Sequence, residues 1–474
     1  MPPRFIRELI PRRETRGPLG AVVVSLKSLT WVQWAQFWSG WLAWTCDAID
    51  FVAVSLTVPL LSEQFGKSTS AITTALTLTL LFRSVGAVIF GMISDRFGRK
   101  WPLVVNLILC CVLELGTGFV NTFSQFLALR ALFGIAMGGI WGLSSSSALE
   151  NLPVELRGLA SGILQEGYII GYIFAAVINL TLVAQYGWRV LFWAGAGITC
   201  VAAVIRALVP ESPFFLRAKE QEKAKGTNTS QNFLRQTKEM LKLHWLLCIY
   251  AVLLMTGLNF LSHGSQDLYP TYLQTTKGFS AHNATVATII GNCGAVIGGA
   301  IGGWASQYIG RRLTIVFCVL LVGVFIPLWV LPSSFSALSA GAFCIQLGVQ
   351  GAWGVIPIQL AEMSPPAFRA TFPGVVYQLG NMVSAASAQI EATGGNNLKT
   401  TIMKDGVLTV VPDYATVQAI FIGAVAAFVI VIAIIGPENH GSHFENADAD
   451  ACGDEAMDHK SQTSCREVDE KSSA

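Results

Sequence analysis

Asn259, His263, Gln266, Asp267 and Thr271 recur at helical spacing inside one apolar stretch, Asn259-Phe-Leu-Ser262-His263-Gly-Ser265-Gln266-Asp267-Leu-Tyr-Pro-Thr271. Read as a helix, they form one polar stripe, which must face something other than lipid. His263 and Asp267 stand one turn apart and form a coupled acid–base pair able to take up and release a proton. Further ionisable groups lie in other apolar stretches: Asp47, Asp50, Arg83, Glu114, Arg130, Glu166 and Glu391. Asp47 and Asp50 are three residues apart and share a helix face. Either one accepts a proton or neutralises Arg83 or Arg130, and both roles stand open. Glu166 is a further candidate proton site. A charge inside hydrocarbon is costly, so each of these positions is a candidate for function.

The elements that must position them are membrane spans. The chain has 474 residues, of which 53% are hydrophobic and only 13% charged, and its mean hydropathy is +0.54. A soluble domain carries about 25% charged residues. The deficit excludes a disordered chain, a nucleic-acid binder and an ordinary soluble enzyme. Apolar stretches recur at about 34–61, 71–93, 101–120, 122–147, 158–182, 187–208, 244–272, 282–305, 313–331, 335–361, 370–391 and 415–436. Each is long enough to cross a ~30 Å hydrocarbon layer as a helix. Even-numbered connections hold Arg96, Arg99, Lys100, Arg157, Arg311, Arg312 and Arg369, whereas odd-numbered ones hold only Lys67, Arg189, Lys277, Lys399 and Lys404. That asymmetry places both termini in the cytoplasm. The expected organisation is a basic N-terminal segment 1–33, a six-helix half 34–208, a charged loop 209–243, a second half 244–436 and a tail 437–474. The tail carries ten acidic against three basic residues and is expected to be disordered.

One internal repeat organises the whole. Gly91-Met-Ile-Ser-Asp95-Arg96-Phe-Gly98-Arg99-Lys100 recurs as Gly303-Trp-Ala-Ser-Gln307-Tyr-Ile-Gly310-Arg311-Arg312, an offset of 303 − 91 = 212. The same shift carries Trp141 to Trp353, Glu150 to Glu362, Arg157 to Arg369 and Glu166 to Gln378. Duplicated halves place a substrate near the midplane between them, with Glu166 and Gln378 as two walls of the cavity. Eight of ten cysteines lie in apolar stretches, and no metal-ligand spacing, phosphate-binding glycine loop or hydrolase triad appears. No enzyme chemistry, metal or cofactor is expected.

On these motifs the chain resembles the major facilitator superfamily over essentially its whole helical length. The resemblance implies an all-α membrane protein with twelve transmembrane helices in two pseudo-symmetric six-helix halves. Gly91, Asp95, Arg96, Gly98 and Arg99 match the superfamily's signature between the second and third spans, which implies a gate latch favouring the outward-open state. Gln307 replaces the aspartate in the second copy, so a weaker latch is expected there. The stripe Asn259-x-x-Ser262-His263-x-Ser265-Gln266-Asp267-x-x-x-Thr271 resembles the fungal lactate/pyruvate–proton symporters, monocarboxylate permeases related to sialate–proton symporters. Gln378 and Asn381, in Tyr377-Gln378-Leu-Gly-Asn381, resemble the eleventh span of the same family.

The resemblance implies uptake of a small monocarboxylate together with a proton, across the plasma membrane, by a monomeric unit. Its expected partners are the carboxylate, the proton and the bilayer, with no nucleic acid. A carboxylate needs cationic or hydrogen-bonding partners. Arg130 leads as the anion partner and Arg83 competes; a structural pair of Arg130 with Glu114 or Asp50 is the alternative. Asn259, His263, Gln266, Thr271, Gln378 and Asn381 complete the expected substrate site, and Asp267, His263, Asp50 and Glu166 the proton-coupling set. A dicarboxylate or acidic-sugar carrier and a non-transporting nutrient sensor are the alternative functions.

Overall fold

A computed structural model describes residues 21–67, 69–224, 242–364, 368–404 and 407–438. They belong to one compact unit of residues 1–440, while residues 441–474, and with them nearly all of the acidic tail, lie outside the described residues. Most of the basic N-terminal segment and of the central loop, 1–20 and 225–241, lie outside them too.

Hydrocarbon offers no water to backbone N–H and C=O groups, so the apolar stretches fold as helices that satisfy these groups internally. Eleven helices among the described residues are long and apolar enough to cross a membrane. In chain order the first to sixth spans are Trp31–Phe65, Thr69–Phe97, Lys100–Thr117, Phe123–Met137 continued by Ile140–Leu149, Val154–Ile178, and Arg189–Leu208. The seventh is Trp245–Gln266 continued by Tyr269–Thr275. The eighth to tenth are Ala281–Ile309, Arg311–Val330, and Phe335–Trp353 continued by Ile356–Met363, and the twelfth is Tyr414–Ile435. The eleventh, Thr371–Ser384 and Ser387–Asn397, is interrupted at Ala385–Ala386 and rich in glycine, asparagine and glutamine. Its polar composition keeps it out of the eleven. Thr30 and Thr122 start the first and fourth spans with capping boxes to Gln33 and Gln125.

One element departs from the all-helical expectation. Between the eleventh and twelfth spans, strand β1 (Lys399–Lys404) pairs antiparallel with β2 (Val407–Pro412), Lys399 opposite Pro412. Two β-branched runs around Asp405-Gly406 are a hairpin signal already present in the sequence.

The duplication is visible in side-chain contacts. Arg99 binds Glu150 at 2.8 Å, and 212 residues on, Arg311 binds Glu362 at 2.9 Å. Burial pulls the Arg99 pKa down, but Glu150 and Asp95 outweigh it and the net shift is upward. Gly98 and Gly310 hold the same corner in each half at φ of +110° and +98°, a region glycine enters without steric cost. A further pair was not anticipated. The Glu211 carboxylate accepts the backbone N–H of Arg99 (3.1 Å) and Lys100 (3.0 Å), and Glu438 accepts those of Arg311 and Arg312 (both 3.0 Å). Each carboxylate sits on a helix N-terminus, where exposed N–H groups and the helix dipole favour it.

Within the N-terminal half, spans two and four touch backbone to backbone. A Cβ at Gly138 would stand 2.0 Å from the Arg83 carbonyl oxygen, and one at Gly86 would stand 1.9 Å from that of Ile135. Gly138→Val is therefore expected to force the helices apart at a cost of about 1–3 kcal/mol or more. A fall in the melting temperature of the purified protein checks it; an unchanged value contradicts this packing.

The two halves meet along spans five and eight and along spans two and eleven. At the end of the bundle that carries Arg96, Arg99, Arg311 and Arg312, hereafter the basic end, contact is close. A Cβ at Gly162 would lie 2.3 Å from the Gly299 carbonyl oxygen. Asp95 reaches across the halves, accepting the N–H of Ala370 (3.0 Å) and Thr371 (2.9 Å) and the Thr371 hydroxyl (2.6 Å), while paired with Arg99 at 3.0 Å. Gln307, at the matching place, instead accepts from Arg311 at 3.1 Å. Bonds to a charged acceptor contribute about 1.5–3 kcal/mol each. Asp95→Ala should thus speed hydrogen exchange of the Ala370 and Thr371 amides by about tenfold or more. Mass spectrometry of that peptide reads the effect, and unchanged exchange contradicts a closure held by Asp95.

Candidate functional site

A cavity with about 540 Å³ of non-atom space lies between the halves, lined by residues of spans one, two, five, seven, ten and eleven. Arg83 stands on the N-terminal side, and Asn259, His263, Gln266 and Asp267 stand on the C-terminal side, with Asn381 beside them. The seventh span presents its stripe because Asn259, His263, Gln266 and Asp267 follow the helical repeat up to the interruption at Asp267–Leu268.

His263 is held from both sides. Its Nδ1 lies 3.1 Å from Asp267 Oδ2, and its Nε2 lies 3.1 Å from Asn381 Oδ1. The Asn381 amide nitrogen donates onward to Gln378 Oε1 at 3.3 Å, which orients the Asn381 oxygen toward the histidine. Both ring nitrogens thus face oxygen acceptors, and each contact needs a proton. The tautomer decides which ring nitrogen donates; a proton in the Nδ1–Oδ2 contact can be carried by either partner. That contact joins two titratable groups one helical turn apart and couples them as one unit. The Asp267 side chain is 41% exposed and that of His263 18%, so the pair is open to water.

Arg83 is 2% exposed, and its Nη2 donates to Asp47 Oδ2 at 2.8 Å. Its guanidinium lies 5.8 Å from the centre of the Phe51 ring. Arg83 Nε is buried with no hydrogen-bond partner. Arg83 thus brings a cation to the cavity wall, with its charge paired to Asp47. Toward the basic end, the wall is aromatic. Tyr377 stacks on Trp141 (ring centres 4.6 Å apart) and meets Trp353 (5.7 Å) and Trp44 (6.2 Å) edge-on. Trp141 Nε1 donates to Gln165 Oε1 at 3.0 Å.

Several expected residues lie elsewhere. Arg130 is outside the cavity, bound to Glu114 Oε2 at 2.5 Å and to the Thr117 hydroxyl at 2.7 Å, so its charge is already matched inside the N-terminal half. Asp50 also lies off the cavity and accepts from the Thr199 hydroxyl at 3.0 Å. Thr271 falls beyond the interruption of the seventh span, which turns it off the stripe and away from the cavity. Glu166 faces Gly299 across the interface of spans five and eight, and Gln378 is fully buried; neither lines the cavity. Their neighbours Gln165 and Tyr377 do, and these too are 212 apart (377 − 165 = 212). One residue rotates a helical side chain by about 100°, which is the whole of that difference. Trp44 and Trp353 line the cavity as well and were not among the expected site residues, although Trp353 is the repeat partner of Trp141 and so carried a signal. Glu391 is fully buried beside the seventh span, accepting from the Gln418 amide at 3.1 Å.

The Major Facilitator Superfamily profile matches residues 40–388. The chain belongs to that superfamily. It is 36% identical over 433 residues to a carboxylic acid transporter protein homolog of Saccharomyces cerevisiae, covering 88% of this chain and 70% of that one. It is 26% identical to the cis,cis-muconate transport protein of Acinetobacter baylyi, covering 74% and 85%. Among solved structures it is similar to the proton:xylose symporter XylE of Escherichia coli, with a TM-score of 0.70, 18% identity and coverage of 88% and 98%. The twelve-helix fold in two halves is thereby shown. This member of the superfamily is an integral membrane transporter with a small-molecule substrate, and not an enzyme.

Proposed function

We propose that the protein carries small monocarboxylates of the lactate and pyruvate type inward across the plasma membrane, each with a proton. The observation that carries this reading is the juxtaposition in one cavity of Arg83 from one half and the His263–Asp267 pair from the other. The carboxylate binds the unpartnered side of Arg83, while Asn259, Gln266 and Asn381 take the 2-hydroxyl or 2-oxo group. Protonation of the His263–Asp267 unit lowers the negative charge facing an arriving anion, so proton and substrate favour each other's binding. Relatives named for carboxylic acid and cis,cis-muconate transport support a carboxylate as the substrate, muconate being a dicarboxylate.

Among the described residues lining the cavity Arg83 is the one arginine, since Arg130 is spent on Glu114. A single arginine, itself paired with Asp47, favours a monocarboxylate over a dicarboxylate. With the basic end in the cytoplasm, as the Lys and Arg asymmetry implies, the Asp95 contact corresponds to a state closed toward the cytoplasm. Asp95, with Gly91, Arg96, Gly98 and Arg99, is then the cytoplasmic latch, both termini are cytoplasmic, and one chain is the working unit.

The test is uptake of labelled lactate, pyruvate and succinate into proteoliposomes with and without an imposed proton gradient. Accumulation of lactate and pyruvate above the equilibrium level, dependent on the gradient and exceeding that of succinate, is expected. Preferential accumulation of succinate, or none of any acid, overturns the reading.

A further inference from the structure

A second cavity adjoins the first and has no part in the function proposed above. It lies between spans five, seven, eight, nine and ten. Tyr168, Tyr172, Tyr269 and Trp329 give it four aromatic rings, and Asn292 and Gln346 give it amides. Among the described residues lining it none is charged. Tyr168 and Gln266 line both cavities. The partition between them is an amide pair, Gln266 Nε2 donating to Gln346 Oε1 at 2.8 Å, backed by Gln346 Nε2 donating to the Ser265 hydroxyl at 3.1 Å. The far wall is fixed in advance. Trp329 stacks on Tyr269 (5.6 Å between ring centres, 21° between planes), and the Tyr269 hydroxyl donates to the Leu338 carbonyl at 3.1 Å.

We propose that this second cavity is a tail subsite admitting carboxylic acids whose carboxylate stays at Arg83 and whose tail is planar, unsaturated or aromatic. The inference rests on the carboxylate reading of the first cavity and extends its substrate class. Flat rings pack on aromatic walls with a specific attraction beyond their buried area. A second carboxylate would lose its hydration there without gaining a cation, which excludes it. Phenolic or carbonyl substituents find Asn292 and Gln346. A saturated three-carbon acid reaches no further than Gln266 of the amide pair, so short and aromatic acids share the anchor while only the latter enter the subsite.

The test pairs two readouts on the purified full chain: calorimetric binding of 4-hydroxybenzoate and uptake of labelled lactate into proteoliposomes. Ala342, buried on the wall and 3.4 Å from a Cβ built at Gly291, is the place to fill the subsite. Ala342→Phe should weaken 4-hydroxybenzoate binding by about tenfold or more, a change of about 1.4 kcal/mol. Lactate uptake should stay within about twofold of wild type, because Ala342 does not line the cavity that holds the anchor. Asn292→Leu, which keeps the volume, should weaken the aromatic acid about threefold or more through a lost hydrogen bond. No binding of 4-hydroxybenzoate by the wild type, or wild-type binding by both variants, overturns the subsite. So does loss of both readouts together in both variants. Aromatic binding that responds to the variants, without any lactate uptake, supports the subsite and overturns the lactate reading alone.

Discussion

Asp267→Asn should abolish proton-gradient-driven accumulation of substrate while leaving exchange of internal for external substrate. Asparagine is nearly isosteric with aspartate and can still meet His263 Nδ1, which lies 3.1 Å from the Asp267 carboxylate. It cannot gain or lose a proton, so the shared proton of the pair is lost as a coupling step while the cavity keeps its shape. The effect on concentrative uptake is expected to be large, on the order of 100-fold, as for other removals of a group that transfers a proton. Exchange, which needs rocking but no net proton movement, is expected to survive. Counterflow of labelled lactate in proteoliposomes separates the two. Unchanged accumulation would show that the coupling proton sits elsewhere, and loss of exchange together with accumulation would assign Asp267 to substrate binding or folding.

The two arginines give the second large contrast. Arg83→Gln removes the one cavity arginine and is expected to reduce substrate affinity by about 10–100-fold, the scale of charge-assisted hydrogen bonds to a carboxylate. It also strands Asp47, whose Oδ2 lies 2.8 Å from Arg83 Nη2. Arg83→Gln with Asp47→Asn removes that complication and should still fail to bind. Arg130→Gln is expected to act on stability instead. It leaves Glu114 buried and uncompensated, which costs about 3–5 kcal/mol. Adding Glu114→Gln should restore much of that loss, and the double variant should bind substrate with an affinity near wild type. Binding lost in the Arg130 and Glu114 double variant but kept in the Arg83 and Asp47 one would reverse the assignment.

Much of this was legible in the amino-acid chain because bilayer physics leaves few choices. Apolar length dictated the helices, and a constant shift of 212 exposed the two halves. The stripe Asn259, His263, Gln266, Asp267 came through because helical periodicity fixes which residues share a face. Thr271 did not, because periodicity gives no warning that the helix stops at Asp267–Leu268. Arg130 and Arg83 looked alike in sequence: each is one cation in an apolar run. Only packing shows that both arginines pair with an acid, Glu114 for the first and Asp47 for the second, and that only the second lines the cavity. Glu211 and Glu438 escaped the repeat for a simple reason. Their separation is 438 − 211 = 227, fifteen more than the common shift, and the strands Lys399–Lys404 and Val407–Pro412 lie in that interval. The Asp405-Gly406 signal that announces the hairpin also explains the offset.

The central claim is that one cavity binds a carboxylate and a proton together, and substrate-evoked proton flux measures it most directly. Proteoliposomes enclosing a pH-sensitive dye, with no gradient imposed at the start, receive external lactate. The account predicts internal acidification beyond that of protein-free vesicles, present in the wild type and absent in Asp267→Asn and Arg83→Gln. Lactate entry without protein-dependent acidification, or acidification that persists in Asp267→Asn, would contradict it.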